Sequence, residues 1–332
     1  MNDCRVIITG GSGFIGTSAV DYLINYNMPC MNIDFQSPKK DAHQRYWTNV
    51  DIRDYSEFEN AILHFNPTHI LHLAADLGMD HKTLDNLQCN IKGIENLIES
   101  VKNIVSIQRI IFTSSLLVCK NGYIPINDID YCPPNLYGES KVIGEEIVRS
   151  AELSCEWAIV RPTSIWGPWF DYSYKEFFKT IDRNRYVHIG KDEFQKPASF
   201  VGNTVHMLLK ILLGDNPKIN KSTFYLADYP WYSTKKWANT IQKTLNSKPI
   251  KTAPLWFLKL LAIFGDIIKK MLKYDPPLTS FRLNNILTGG KYPIENTKQI
   301  CGKLPYNLEE AVFITSQWMF ENNLLRHKPS KI

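Results

Sequence analysis

The chain has 332 residues, 44% hydrophobic and 12% aromatic, with a formal net charge of +5. That length buries a substantial core, and the aromatic share excludes a disordered chain. Its basic residues are scattered, with small concentrations at Lys269-Lys270 and Arg326-His327-Lys328, which excludes the clustered stripe of a nucleic-acid groove.

Arg5 to Thr9 (RVIIT) predicts a short strand, Gly10 to Gly16 (GGSGFIG) a turn, and Ala19, Val20, Leu23 and Ile24 one face of a helix. Further strands are predicted at Cys30 to Ile33, near Tyr46 to Val50, and at Ile70 to Leu73, Arg109 to Thr113 and Trp157 to Val160. Helices are predicted over Tyr55 to Phe65, Leu84 to Val105 and Leu136 to Leu153. Strands alternating with helices imply a doubly wound parallel sheet, an α/β fold with its ligand at the carboxyl ends of the strands.

Beyond about residue 165 proline, tryptophan and tyrosine become frequent, as in Trp166-Gly167-Pro168-Trp169 and Tyr229-Pro230-Trp231-Tyr232. Residues 1–165 are therefore read as a dinucleotide-binding domain with a return segment around 195–228, and 166–332 as a smaller, mostly helical substrate lid. Its aromatic rings are expected to offer a surface on which a base stacks.

Gly10, Gly13 and Gly16 open a helix directly after a strand. Glycines there let backbone N–H groups approach a pyrophosphate, and the helix N-terminus favours its charge. Asp34 follows at the end of the next strand, where a carboxylate accepts from both ribose hydroxyls and repels a 2′-phosphate. NAD is thereby favoured over NADP. The seven cysteines show no CxxC pair and no grouping with histidine, so no metal site is expected and reduced thiols are. The N-terminus enters its first strand too soon for a cleavable signal, and a cytoplasmic location is the expectation.

With TGGSGFIG (9 to 16), Asp51-Ile52-Arg53-Asp54, Leu73-Ala74-Ala75, Asn90-Ile91-Lys92-Gly93, Ser114-Ser115 and Tyr137-Gly138-Glu139-Ser140-Lys141 in order, the chain resembles the extended short-chain dehydrogenase/reductase family. The resemblance implies a Rossmann domain holding NAD(P), with Gly10, Gly13, Phe14, Ile15 and Gly16 at the pyrophosphate, Asp51 and Ile52 bordering the adenine, and Leu73, Ala74, Ala75 and Asn90 along the cofactor. It also implies a homodimer through the helices beginning near Leu84 and containing Tyr137. Two branches look similar: nucleotide-sugar epimerases, dehydratases and reductases, and 3β-hydroxysteroid dehydrogenase-like enzymes, the latter through Phe200-Val201-Gly202-Asn203 and Pro276-Pro277-Leu278-Thr279.

Tyr137 and Lys141, four apart on a helix, project from one face. A free phenol has a pKa of about 10; the Lys141 ammonium and a positive nicotinamide are expected to lower it. Ser115 is then placed to hydrogen-bond the substrate oxygen while Tyr137 moves its proton, so the reacting centre is a secondary alcohol or ketone. Leu116 and Leu117 carry no proton-transfer group, which ranks alcohol/ketone redox chemistry or epimerisation above dehydration. Ser114, Ser164 and Lys196 are candidate substrate contacts, with Arg183 and Arg185 as further partners for a diphosphate. The leading substrate is a nucleotide-activated sugar. Alternatives are a hydrophobic alcohol, oxidised as in the steroid branch, and a dinucleotide sensor without catalysis.

The segment 254–273 is rich in Leu, Ile and Phe but interrupted by Lys259, Asp266, Lys269 and Lys270. A spanning helix needs about 20 mostly apolar residues. It is read either as a lid helix or as a helix resting on a membrane surface.

Overall fold

The computed structural model describes residues 4–78, 81–170, 172–190, 195, 197–272, 276, 279–287 and 292–332. Six strands, β1 (Val6–Thr9), β2 (Cys30–Ile33), β3 (Trp47–Thr48), β4 (His69–His72), β5 (Arg109–Thr113) and β6 (Glu156–Pro162), and a seventh, Ser222–Leu226, form one sheet. All its pairings are parallel. From one edge the order is Ser222–Leu226, β6, β5, β4, β1, β2, β3. Val6, Ile7 and Ile8 on β1, Ile110 and Ile111 on β5, and Ala158, Ile159 and Val160 on β6 have no exposed surface, the pattern of a sheet covered on both faces. Chain direction across the sheet reverses between β1 and β4, which opens a crevice at their carboxyl ends.

Helices α1 (Phe14–Asn25), α2 (Tyr55–Phe65), α3 (Gln88–Val101) and α4 (Leu136–Ser150) make the crossovers. Asp54 caps α2 by accepting from the Glu57 N–H, and Asn135 caps α4 by accepting from the Gly138 N–H. The predicted strand near Tyr46 to Val50 is only two residues long, because this edge strand pairs with Asn32 and Ile33 alone. The predicted helix from Leu84 to Val105 splits into a 3₁₀ turn, Leu84–Leu87, and α3. It stops before residue 105 so that the Gln108 N–H can reach the Thr68 carbonyl at 2.7 Å and lead the chain into β5.

The chain divides into two compact units. The first comprises Met1–Ile165, Ser199–Ala227 and Tyr292–Pro305. Tyr292–Pro305, read from sequence as part of the lid, is a correction: Tyr292 stacks on Tyr225 at 5.6 Å, and the Thr297 hydroxyl donates to the Tyr225 carbonyl at 2.8 Å. The second unit comprises Trp166–Ala198, Asp228–Lys291 and Tyr306–Ile332. Part of its aromatic set packs on itself: Trp166 is fully buried, lies 4.8 Å from Trp237 and donates to the Tyr232 hydroxyl. Rings this large satisfy themselves by mutual burial. Buried Asp182 holds the C-terminal stretch by accepting from the Arg326 and His327 backbone N–H groups.

His69 and His72 are buried on β4. Burial pushes the first down to about 4 and the second down to about 3. A histidine with a folded pKa below its unfolded value near 6.5 takes up protons preferentially when unfolded. Its contribution to stability is full above that value and is lost as the pH falls towards the folded pKa. Urea unfolding followed from about pH 6.5 to 4 should show a loss of roughly 3 kcal/mol per histidine. A flat profile for the His72→Phe difference would contradict a neutral buried ring.

Candidate active site

The crevice begins where β1 meets β4. Gly10 takes a positive φ of +73°, and a side chain there would approach Ala74 backbone atoms to 2.7 Å. A side chain on Gly16 would meet the Gly10 carbonyl at 2.1 Å, whereas one on Gly13 would meet only that carbonyl, at 3.1 Å. The turn is thus closed against the sheet at Gly10 and Gly16 and open at Gly13. Unlike α2 and α4, α1 starts with no side-chain cap and no acidic residue in its first turn, leaving its positive end suited to an anion. Phe14 and Ile15, half-buried, form that first turn.

Asp34 stands at the end of β2 beside the glycine turn. Its carboxylate accepts from the Ser12 N–H at 3.0 Å and the Gln36 N–H at 2.9 Å. Burial pushes its pKa up, against the pull of those hydrogen bonds. A bare helix start, a cradle that excludes side chains, and a carboxylate at the neighbouring strand end fit a dinucleotide: pyrophosphate at Gly13 to Gly16 and ribose at Asp34.

Asp51 is held by the Arg53 guanidinium, whose Nε lies 3.0 Å from both carboxylate oxygens, and this contact lowers its pKa. Ile52, expected to border the adenine, has its side chain buried in the core, close enough that a Cβ on Gly93 would lie 2.3 Å from it. Leu73, Ala74 and Ala75 are half-buried past the end of β4, tied to β1 by the Leu73 N–H, which donates to the Thr9 carbonyl. Asn90, expected along the cofactor, is a clamp. Its Oδ1 accepts from the Asp76 N–H at 2.7 Å, and its Nδ2 donates to the Asp76 carbonyl and the Ser140 hydroxyl, each at 3.0 Å. The amide is spent because α3 and α4 pack closely here.

Ser115, Tyr137 and Lys141 come together. The Ser115 hydroxyl accepts from the Leu117 N–H at 3.1 Å, capping the short turn Leu116–Val118, and lies near enough to the Tyr137 phenol to oppose the rise of its pKa. Lys141, fully enclosed one turn along α4, donates from Nζ to the Thr113 carbonyl at 3.0 Å and lies 5.9 Å from the centre of the Tyr137 ring. The expected lowering of the phenol pKa is not produced by Lys141. Burial pushes Tyr137 up to about 12, and the Ser115 hydroxyl only partly opposes it. Burial also brings Lys141 down to about 8, with its ammonium aimed at a strand carbonyl and not at the phenol. At neutral pH the chain by itself therefore keeps the proton on Tyr137.

Residues 6–195, more than half of the chain, match the model of the NAD dependent epimerase/dehydratase family. The chain belongs to this family. It is 26% identical to the N-acetyl-alpha-D-glucosaminyl-diphospho-ditrans,octacis-undecaprenol 4-epimerase of Escherichia coli O157:H7, over 96% of each chain. It is also 26% identical to the sterol-4-alpha-carboxylate 3-dehydrogenase (decarboxylating) of Saccharomyces cerevisiae, over 95% of this chain and 98% of that one. Among solved structures, the UDP-glucose 4-epimerase of Thermotoga maritima with UDP-glucose superposes with a TM-score of 0.73 at 18% identity, covering 96% of this chain and 99% of that one. The Bordetella bronchiseptica enzyme WbmG in complex with NAD gives 0.73 at 16% identity, over 98% and 96%. These two likenesses establish the fold.

Within the family frame, the expected substrate residues fare unevenly. Ser114 is turned away from Ser115, as alternation along an extended segment requires, and donates to Glu145 Oε1 at 2.6 Å. Ser164 is half-buried in the strand Ser164–Trp166, and Lys196 lies outside the described residues. Glu145, which the sequence reading passed over, is the hub of a buried network. Arg161 donates to both its carboxylate oxygens at 2.8 and 2.7 Å, and Tyr131 donates at 2.9 Å. Arg161 also donates to the Tyr225 hydroxyl and the Asp128 carbonyl. The signal was available, since Glu145 stands one helical turn beyond Lys141, as Lys141 stands one beyond Tyr137. Among the described residues, no group of three or more His, Cys, Asp or Glu side chains is placed to hold a metal ion.

Proposed function

We propose that this chain is an NAD-dependent oxidoreductase or epimerase acting on a secondary hydroxyl, or the matching ketone, of a nucleotide-activated sugar. The observation that carries the reading is the gathering of Ser115, Tyr137 and Lys141 past the carboxyl end of β5, where the Lys141 Nζ meets the Thr113 carbonyl 5.9 Å from the centre of the Tyr137 ring, together with a glycine cradle and an uncapped helix start. Gly10, Gly13 and Gly16 with the first turn of α1 would hold the pyrophosphate, and Asp34 the ribose. NAD supplies reversible hydride acceptance and, when oxidised, a positive ring whose charge favours the phenolate.

Ser115 would orient the substrate oxygen, and the Tyr137 phenolate would take the hydroxyl proton as that carbon gives up its hydride to NAD and becomes a ketone. When the hydride returns to the same or the opposite face of the ketone, Tyr137 gives the proton back to the oxygen, and the alcohol forms in either configuration. Leu116 and Leu117 add no acid or base to assist loss of water. The 4-epimerases among the relatives favour the 4-hydroxyl. A homodimer through α3 and α4 belongs to the same proposal, supported by a shallow groove lined by Ile98, Ile143 and Ile147. So does a cytoplasmic location, which seven free cysteines suit.

Acid denaturation of the purified protein tests the cofactor assignment. Release of about one NAD per chain is expected for an epimerase that returns its own hydride. A protein that neither releases nor binds any dinucleotide would end the proposal.

A second reading is favoured by the names of two relatives covered almost end to end, whose substrates are a polyprenol-linked sugar and a sterol. In it the secondary hydroxyl is carried by a lipid. Thermal stabilisation by nucleotide diphosphates, set against polyprenyl diphosphates and sterol alcohols, separates the two.

A further inference from the structure

Leu255–Leu272, 18 residues, is the longest helix among the described residues. Only a narrow stripe of it faces protein: Leu258 and Ala262 pack with Leu283, and Leu255 is partly buried against them. At 3.6 residues per turn, nine large apolar side chains fill a continuous outward arc of roughly 160°, with no polar residue inside it. Trp256, Phe257, Leu260, Phe264, Ile267 and Met271 in that arc are between 43% and 75% exposed. The exposed lysines Lys259 and Lys270 fall along one edge of it.

A surface helix normally turns its apolar arc inward and its polar arc to water, whereas this one leaves most of its apolar side chains facing water. Contiguous apolar surface of that extent marks contact with something other than water. No helix among the described residues is long and apolar enough to cross a membrane.

We infer that this helix docks the protein on an anionic lipid bilayer, lying in the plane of the interface. The apolar arc enters the boundary between headgroups and acyl chains, and Lys259 and Lys270 reach back to lipid phosphates. Charge decides between occupants. A second copy packed antiparallel on the same arc would bring Lys259 of each helix towards Lys270 of the other, whereas anionic lipid complements both lysines and the net charge of +5. The inference goes beyond the chemistry at Tyr137 and does not depend on it.

Sedimentation of the full-length protein with phosphatidylcholine vesicles, with and without phosphatidylglycerol, tests it. Binding only when phosphatidylglycerol is present is expected. Phe264→Glu and Ile267→Glu should each lower the partition coefficient by about tenfold or more, and Lys259→Glu with Lys270→Glu should lower it at low salt, by an amount that shrinks as salt is raised. These positions are exposed, so melting temperatures should hold. Tyr137→Phe should sediment like the unmodified protein, which keeps this result separate from the catalytic reading. Absence of vesicle binding would overturn the inference. So would equal binding to neutral vesicles, or a dimer in sedimentation velocity that Phe264→Glu dissociates without lipid.

Discussion

Tyr137→Phe is expected to lower turnover by roughly a hundred- to ten-thousandfold, the range contributed by a positioned acid or base, while leaving dinucleotide retention intact. The ring is 7% exposed and its packing survives the change; what is lost is the phenol oxygen that moves the proton. The effect should fall on kcat, because the phenol acts on the proton in flight rather than on ground-state binding. Steady-state kinetics with a nucleotide-sugar pair, together with the NAD content of the variant, provide the check. Full activity in Tyr137→Phe would remove the phenol from the mechanism. A chain whose unmodified form binds NAD but turns nothing over would instead support a dinucleotide sensor.

The largest loss of stability is expected at Glu145→Ala. Arg161 has no exposed surface and Glu145 is 2% exposed, so removing the carboxylate strands a buried guanidinium. Breaking one side of such a pair costs about 3–5 kcal/mol. Arg161 retains the Tyr225 hydroxyl and the Asp128 carbonyl as partners, which places the expected value towards the lower end. Adding Arg161→Met to Glu145→Ala should destabilise by less than the sum of the two single changes, since the stranded charge disappears. Because Ser114 donates to Glu145 and adjoins Ser115, activity should fall with Glu145→Ala even at temperatures where the variant is folded. Urea unfolding of both single variants and the double gives the comparison; strict additivity would show that the pair is not coupled.

The glycine turn and its helix were legible because a positive φ at Gly10 and the close approach of Gly16 to the Gly10 carbonyl exclude side chains locally, and sequence records such exclusions as glycines. Asp34 was legible for a related reason, since it ends the strand that pairs beside β1. The partners of Asn90 were not legible: its amide bonds to Asp76 and Ser140, on segments that only folding brings together. The packing of the aromatic segments of the second unit was not legible either. A run of tryptophan and tyrosine looks the same whether it lines a pocket or fills a core, and Trp166 and Trp237 fill one.

The sequence by itself determined the alternation of strand and helix, the bare start of α1, and the placing of Tyr137 and Lys141 on one helical face. Each depends on residues a few positions apart, where chain geometry fixes the neighbours. Only the tertiary structure decided that the Lys141 ammonium meets the Thr113 carbonyl, that burial drives the phenol up instead of down, and that Glu145 gathers Ser114, Tyr131 and Arg161. Those outcomes turn on desolvation and on partners from distant strands, and neither is encoded in local spacing.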